Sequence, residues 1–412
     1  MVLKKWLLPG IILLLPALVS CLSIDLFQGN DTIPAVQDKA AQLLPTEEPF
    51  PVNNTHSPET FTSSEKILTP TTYPSPIPPP GGFTQSVLGL EGITSEINPL
   101  TGLSVDELWR LERHPVMVKV SNSLNVRPQS GLSFADIVFE YYIGEGINRF
   151  LAVFYSQDVP QAGPIRSGRM VDAQLVSMYR GILAYGSADP RVDEILKREL
   201  GDRAISHLEI GCPVICGQDT HANPGVYGNT FELTQYSRKL GLDEKRQELH
   251  GFFFDPAPPS QNEYAVQVGI QYAKFNRGEW RYDPETKTYN RWTDDKGDST
   301  NMIPLTDRLT GDQVTAANVI ILFVEYVEFN PTLHNIKVWD NQEGQRALFF
   351  RDGVLINGSW RAPGHHQPIQ FYNDFGLPMA LKPGKSWITL VGNSSTFDTI
   401  GPGAWELRFR LP

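Results

Sequence analysis

The chain has 412 residues, 41 % of them hydrophobic, which is enough to build sizeable cores and allows two domains with accessory segments. Its 46 acidic residues outweigh 35 basic ones, for a formal net charge of −11. That balance argues against a general nucleic-acid binder, which needs a basic stripe to displace counterions, but it leaves room for a local basic pocket.

The N-terminus reads MVLKKWLLPGIILLLPALVSCLS. Lys4 and Lys5 form a charged start, and Trp6 to Leu18 form an apolar run too short to cross a bilayer comfortably. A small residue directly before Cys21 at the end of such a run resembles a bacterial lipobox. Residues 1–21 are therefore expected to be a lipoprotein signal peptide, with cleavage before Cys21 and lipid attached to it. The expected location is the cell membrane, lipid-anchored on its extracytoplasmic face, with the membrane itself as a partner through Cys21. Residues 22–96 are rich in Pro, Thr and Ser and carry little apolar periodicity. Such a segment buries too little surface to offset chain entropy, and its prolines favour extended geometry, so a disordered stalk is expected.

The folded part is expected to start at about residue 97. SVDELWRLERH (104–114) reads as a short helix, with Ser104 as cap and Glu107 three residues on. PVMVKVSNS, ADIVFEYYI and RFLAVFYS read as strands, the last two joined by a GEGIN turn whose glycines permit positive φ. The loop holding GPIRSGR (163–169) leads into a helix with Ser167 as a candidate cap. GILAYGS is a buried strand, and ADPRVDEILKREL is a helix with Asp189 as cap and Pro190 at its first position. From about residue 256, short alternating strands separated by Gly, Asn and Asp turns take over. The predicted fold class is α+β, with an N-terminal α/β domain (97–255) followed by a β-rich domain (256–412).

Several motifs then occur in a familiar order: NPLTGL, RPQSGLSFADIVFE, EGINRFLAVF and GPIRSGR, followed by YDPETKTYNRW and FRDGVLINGSWRAPG. Together they resemble the YerB-like family of bacterial lipoproteins across nearly all of residues 97–392. The resemblance implies a two-part domain of unknown function and brings no catalytic residues with it. In family members an Arg-Ser-Ala-Arg run stands where this chain has Arg-Ser-Gly-Arg.

The candidate chemistry centres on Arg166 and Arg169. A helix N-terminus offers free N–H groups and the positive end of a dipole, and guanidiniums add bidentate grip on phosphate or carboxylate. Ser167 and Arg149 complete the expected anion-binding set, with His221, Glu140 and Arg127 as weaker candidates. The competing reading pairs these arginines with Glu140, Glu145 or Asp172 as structural ion pairs. Cys212 and Cys216, flanked by His207 and His221, are expected to form a disulfide. Free thiols or a metal site remain open at this point. Trp360 beside Arg361 reads as a core tryptophan next to a solvent-facing arginine. Motifs for nucleotide, dinucleotide or catalytic-metal binding are missing from the sequence, and no cofactor is expected.

The functional expectation is a binding or accessory module for an anionic envelope polymer, peptide or envelope protein, and not for nucleic acid. One alternative is an envelope-polymer hydrolase or transferase with His221 or Glu140 as acid/base. The other is a scaffold for protein partners.

Overall fold

The computed structural model describes residues 92–217, 225–242, 245–260 and 263–412. Cys21, the Pro/Thr/Ser segment up to residue 91, and His221 lie outside the described residues.

The first elements follow from local chemistry. β1 (Val116–Ser121) is buried along its whole length. β2 (Ile137–Gly144) and β3 (Ile147–Phe154) form an antiparallel hairpin. Its turn places Glu145 at φ 52° and Gly146 at φ 75°, so a non-glycine residue also takes positive φ there. α1 (Met170–Met178) crosses over to β4 (Ile182–Tyr185), which runs parallel to β1. α2 (Pro190–Leu200) starts where Asp189 accepts a hydrogen bond from the Arg191 N–H at 3.0 Å, and it buries Val192, Leu196 and Leu200 on one face. β5 (Ala204–Ser206) pairs parallel with β4, and α3 (Thr230–Lys239) is capped by Asn229.

The predicted helix over 104–114 is replaced by a 3-10 turn, Leu108–Leu111. Ser104 bridges Ile97 and the Val105 N–H donates to Glu96 O, so this backbone is already committed to extended pairing where a helix would have to begin. Ser167 is not the cap of α1 either. Arg169 holds that position, and its N–H donates to Asp172 Oδ2 at 2.7 Å.

The expected fold class needs correction. The described residues hold three α-helices among many strands, and the helical unit has no sheet of its own. β2 pairs in parallel with Ser386–Gly392, with Ile137 opposite Ser386 and Tyr141 opposite Leu390. Ser386–Gly392 pairs in turn with Asn318–Asn330. A single 12-stranded mixed sheet therefore runs from the edge strand Gln370–Asn373 through to β5. The protein is mostly β, in place of an α/β domain followed by a separate β domain. The misreading has a physical cause. Strand alternation reveals a buried face, but it does not reveal which distant strand supplies the neighbouring hydrogen bonds.

The large sheet buries both faces. Ile137, Phe139 and Leu151 pack in one core with Val171 and Leu175 of α1 and Leu196 of α2. Val138, Phe150 and Trp387 point the other way, into a second core with Ile270, Trp280 and Tyr289. Those last three belong to a 7-stranded sheet built from Gln267–Ala273, Asn276–Asp283, Thr288–Asp295 and the C-terminal pair Thr396–Gly401 and Ala404–Arg408, among others. The order of layers is thus helices, large sheet, smaller sheet.

Candidate anion-binding site

Strand alternation assembles the site. In β1, Met117 faces the helix-side core while Val118 and Val120 face the other, which puts Lys119 on the helix side. In β2, Phe139 and Tyr141 face the helices. In β3, Arg149 lies opposite Tyr141 in the register and shares its side with Leu151. α1 brings Asp172 down onto the same face.

Lys119, Tyr141 and Asp172 are all fully buried. The Lys119 ammonium donates to the Tyr141 hydroxyl and, at 3.1 Å, to Asp172 Oδ1, and the Tyr141 hydroxyl donates to Asp172 Oδ1. Burial, opposed by Asp172 and reinforced by Arg149 and Arg169, brings the Lys119 ammonium down to about 7. Burial, with the Asp172 charge beside it, holds the Tyr141 phenol well above its ordinary range.

Two arginines, Arg149 and Arg169, close over this buried group, with Arg166 beside Arg149. Arg149 reaches Ser167 O at 2.9 Å, and Arg169 reaches Gly168 O at 2.8 Å. Arg166 is buried, with its guanidinium on Ile165 O at 3.1 Å, and its backbone is locked by bonds to Lys119 O and from Gly186 N. Burial, then repulsion from Arg169 and Arg166, lowers Arg149 to about 9. Burial also lowers Arg169, against the pull of Asp172 and of the exposed Asp189. The Nε atoms of Arg149 and Arg169 are buried and have no hydrogen-bond partner. GPIRSGR therefore brings Arg169 and the Ser167 carbonyl together with Arg149 above the buried Asp172 carboxylate, with Arg166 next to Arg149. Gly168 packs under α2: a Cβ there would meet Leu196 Cδ1 at 2.7 Å.

The remaining candidates stand elsewhere. Glu140 is the residue before Tyr141, so it faces the opposite core, fully buried. Arg291 Nη2 donates to both of its oxygens at 3.1 Å, and Trp387 Nε1 donates to Oε2 at 2.6 Å. The Arg291 guanidinium packs against both Trp280 and Trp387, at 5.0 and 5.1 Å from their ring centroids. Arg127 pairs with Asp294 at 3.1 Å and donates to Asn122 Oδ1. Cys212 and Cys216 sit at disulfide-bonding distance, with Cα atoms 4.6 Å apart. Trp360 is fully buried, its indole N–H donating to Phe323 O at 3.0 Å, while Arg361 stacks over Tyr372.

Sequence reasoning passed over Lys119, Tyr141 and Asp172. One signal was available: a lysine in the middle of the apolar strand VMVKV, on the same face as Met117.

Comparison with known proteins fits this architecture. Residues 100–243 match the N-terminal domain, and residues 268–388 the C-terminal domain, of a family described as "Protein of unknown function (DUF3048)". The chain belongs to this family. It is 30 % identical over 297 residues to "Putative lipoprotein YerB" of Bacillus subtilis (strain 168), covering 71 % of this chain and 85 % of that protein. The crystal structure of YerB from Bacillus subtilis superposes with a TM-score of 0.58 at 29 % identity, covering 72 % of this chain and 96 % of that one. The resemblance read from the motifs is thereby established. The two matched regions of the family both contribute strands to the large sheet described above.

Proposed function

We propose that this protein is a lipid-anchored, extracytoplasmic lipoprotein whose folded part binds an anionic group of the cell envelope at the arginine cluster over α1. The anchoring half rests on the charged start, short apolar run and Cys21 of the N-terminus, and on a relative whose name carries the word lipoprotein. The binding half rests on one observation. Two guanidiniums and a lysine surround one buried carboxylate, and both guanidiniums keep an unpartnered buried N–H. A structural ion-pair cluster would balance its charges, because unpaired buried charge is costly. A dianion such as a phosphate or sulfate group would relieve the repulsion and take up the free donors.

The test is the thermal midpoint of the full chain in a zwitterionic detergent, titrated with sodium sulfate against sodium chloride at matched ionic strength. Sulfate should raise the midpoint in the native chain and lose that effect in Arg149→Gln and Arg169→Gln. An equal response to both salts, or a sulfate effect that survives both variants, would overturn the binding half. Mass analysis of the membrane-extracted chain for diacylglyceryl at Cys21 tests the anchoring half separately.

A further inference from the structure

A second polar surface lies on the C-terminal side of the large sheet, apart from the arginine cluster. A groove of about 500 Å³ is lined by Gln174 of α1, Asn335, Lys337, Trp339, Asn341 and Gln345, with Glu325 and Asp340 at its rim. A second groove, about 410 Å³, continues from Gln345 along Arg346, Ser359 and Arg361 to Phe375. Gln345 lines both, so it marks their junction.

We infer that these joined grooves form a binding site for a neutral oligosaccharide. The first argument is the residue set. Side chains with planar amides alternate with charges of both signs: Lys337 pairs with Glu325 at 2.5 Å, Asp340 pairs with His365, and Glu343 and Asp374 line the second groove together with Arg346 and Arg361. A surface of this kind has little pull on a net charge, but it offers many donors and acceptors at fixed angles.

The second argument is what remains unpaired. Trp339 Nε1 and Arg361 Nε are buried donors without partners, and Gln345 Oε1 is a buried acceptor without one. All three belong to residues that line the grooves. Unmade buried hydrogen bonds are costly, and a ligand that reached these three atoms would offset that cost. Free donors and a free acceptor along one trough suit hydroxyls, which donate and accept with the same oxygen.

The third argument is the pair of aromatic ends. His365 lies flat on Trp339, with ring centroids 4.0 Å apart, and is itself held by Asp340 at 3.2 Å. His365 thus covers one face of the indole, and Trp339 lines the groove. At the far end Phe375 is 84 % exposed on its turn. Aromatic side chains at the two ends of a polar trough suit the C–H faces of successive sugar rings.

The base of the trough is held firmly. Gln174 donates to Ile336 O at 2.9 Å and accepts from the Val338 and Trp339 N–H groups, which ties α1 to the hairpin strand Leu333–Lys337. The sugar groove and the anion site thus share one helix, and each is tested alone.

The experiment is isothermal titration of the full chain, in the same zwitterionic detergent, with cellotriose, maltotriose and triacetylchitotriose in turn. Saturable binding of at least one trisaccharide is expected, weakened roughly tenfold or more by Trp339→Ala and by Gln345→Leu and unchanged by Arg169→Gln. If Trp339→Ala does not fold, Gln345→Leu, a substitution of similar size at a half-exposed position, carries the test. Absence of binding for all three sugars at millimolar concentration, or binding indifferent to Gln345→Leu, overturns the proposal. Failure here with sulfate binding intact rejects the sugar groove alone.

Discussion

Glu140 and Tyr141 are consecutive residues of β2 that serve opposite faces of the same sheet. Tyr141 joins Lys119 and Asp172 under α1, while Glu140 joins Arg291 and Trp387 against the smaller sheet. One peptide unit therefore separates the candidate anion site from the ion pair that fastens the two sheets together.

That ion pair should be a stability element with no part in binding. Removing one partner of a buried pair strands the other, at a cost of about 3–5 kcal/mol. Glu140→Ala should lose that much in urea unfolding, whereas sulfate binding, measured where the variant remains folded, should keep its native affinity. A selective loss of binding at unchanged stability would contradict this assignment.

The arginine cluster should behave in the opposite way. Arg149 and Arg169 repel one another, so Arg169→Gln removes a repulsion along with its bonds to Gly168 O and Ser167 O. We expect the ligand-free variant to stay within about 1 kcal/mol of the native chain. Its sulfate affinity should fall roughly ten- to a hundredfold, the value of a charge-assisted hydrogen bond of about 1.5–3 kcal/mol. Unfolding curves and sulfate titration on one sample measure both.

Lys119 gives the site a pH signature. Its folded pKa is drawn down to about 7, against about 10.4 for an unfolded lysine. Between those values the unfolded chain holds more protons than the folded one, so the Lys119 contribution makes stability rise with pH. Below about 7 both states are protonated and the burial penalty is present in full. Lys119→Met should flatten the rise in urea midpoint from neutral to mildly alkaline pH.

Anion binding should carry the same linkage with its own sign. A bound dianion raises the Lys119 pKa, so binding takes up a proton and affinity falls as pH climbs above neutrality. Sulfate is the appropriate probe because it does not titrate in this range. Calorimetry in two buffers of different ionisation enthalpy should show proton uptake in the native chain and none in Lys119→Met.

Cys212 and Cys216 lie at disulfide distance, and a bridge between them would close a loop with a sequence separation of 4. Chain-entropy arguments give such a small loop about 2 kcal/mol at most. Reduction should therefore lower the unfolding midpoint slightly and leave sulfate binding untouched, with intact-mass analysis before and after reduction reporting the thiols.

Some of the site was legible from local sequence. Asp189 and Pro190 announce α2, the GEGIN turn announces the β2–β3 hairpin, and GPIRSGR announces a helix start beside two arginines. Lys119 was visible as an oddity in an apolar strand, but its partners were not. Tyr141 looks like an ordinary strand aromatic, and Asp172 like an ordinary first-turn carboxylate. Trp339 and Gln345 carry no motif at all. They line one groove where Gln174 of α1 docks on the chain just after Leu333–Lys337.

The sequence by itself determined the β1, β2–β3 and α2 elements, their buried faces and the family, because apolar periodicity, caps and turn residues act over a few positions, while the helix expected over 104–114 gave way to a 3-10 turn. Only the tertiary structure decided that β2 lies beside Ser386–Gly392, and hence that one sheet carries both halves of the chain. The physical reason is that backbone hydrogen bonds between strands are indifferent to side-chain identity. Which distant strands meet is settled by the combined burial of both sheet faces, a property of the whole assembly that no short segment encodes.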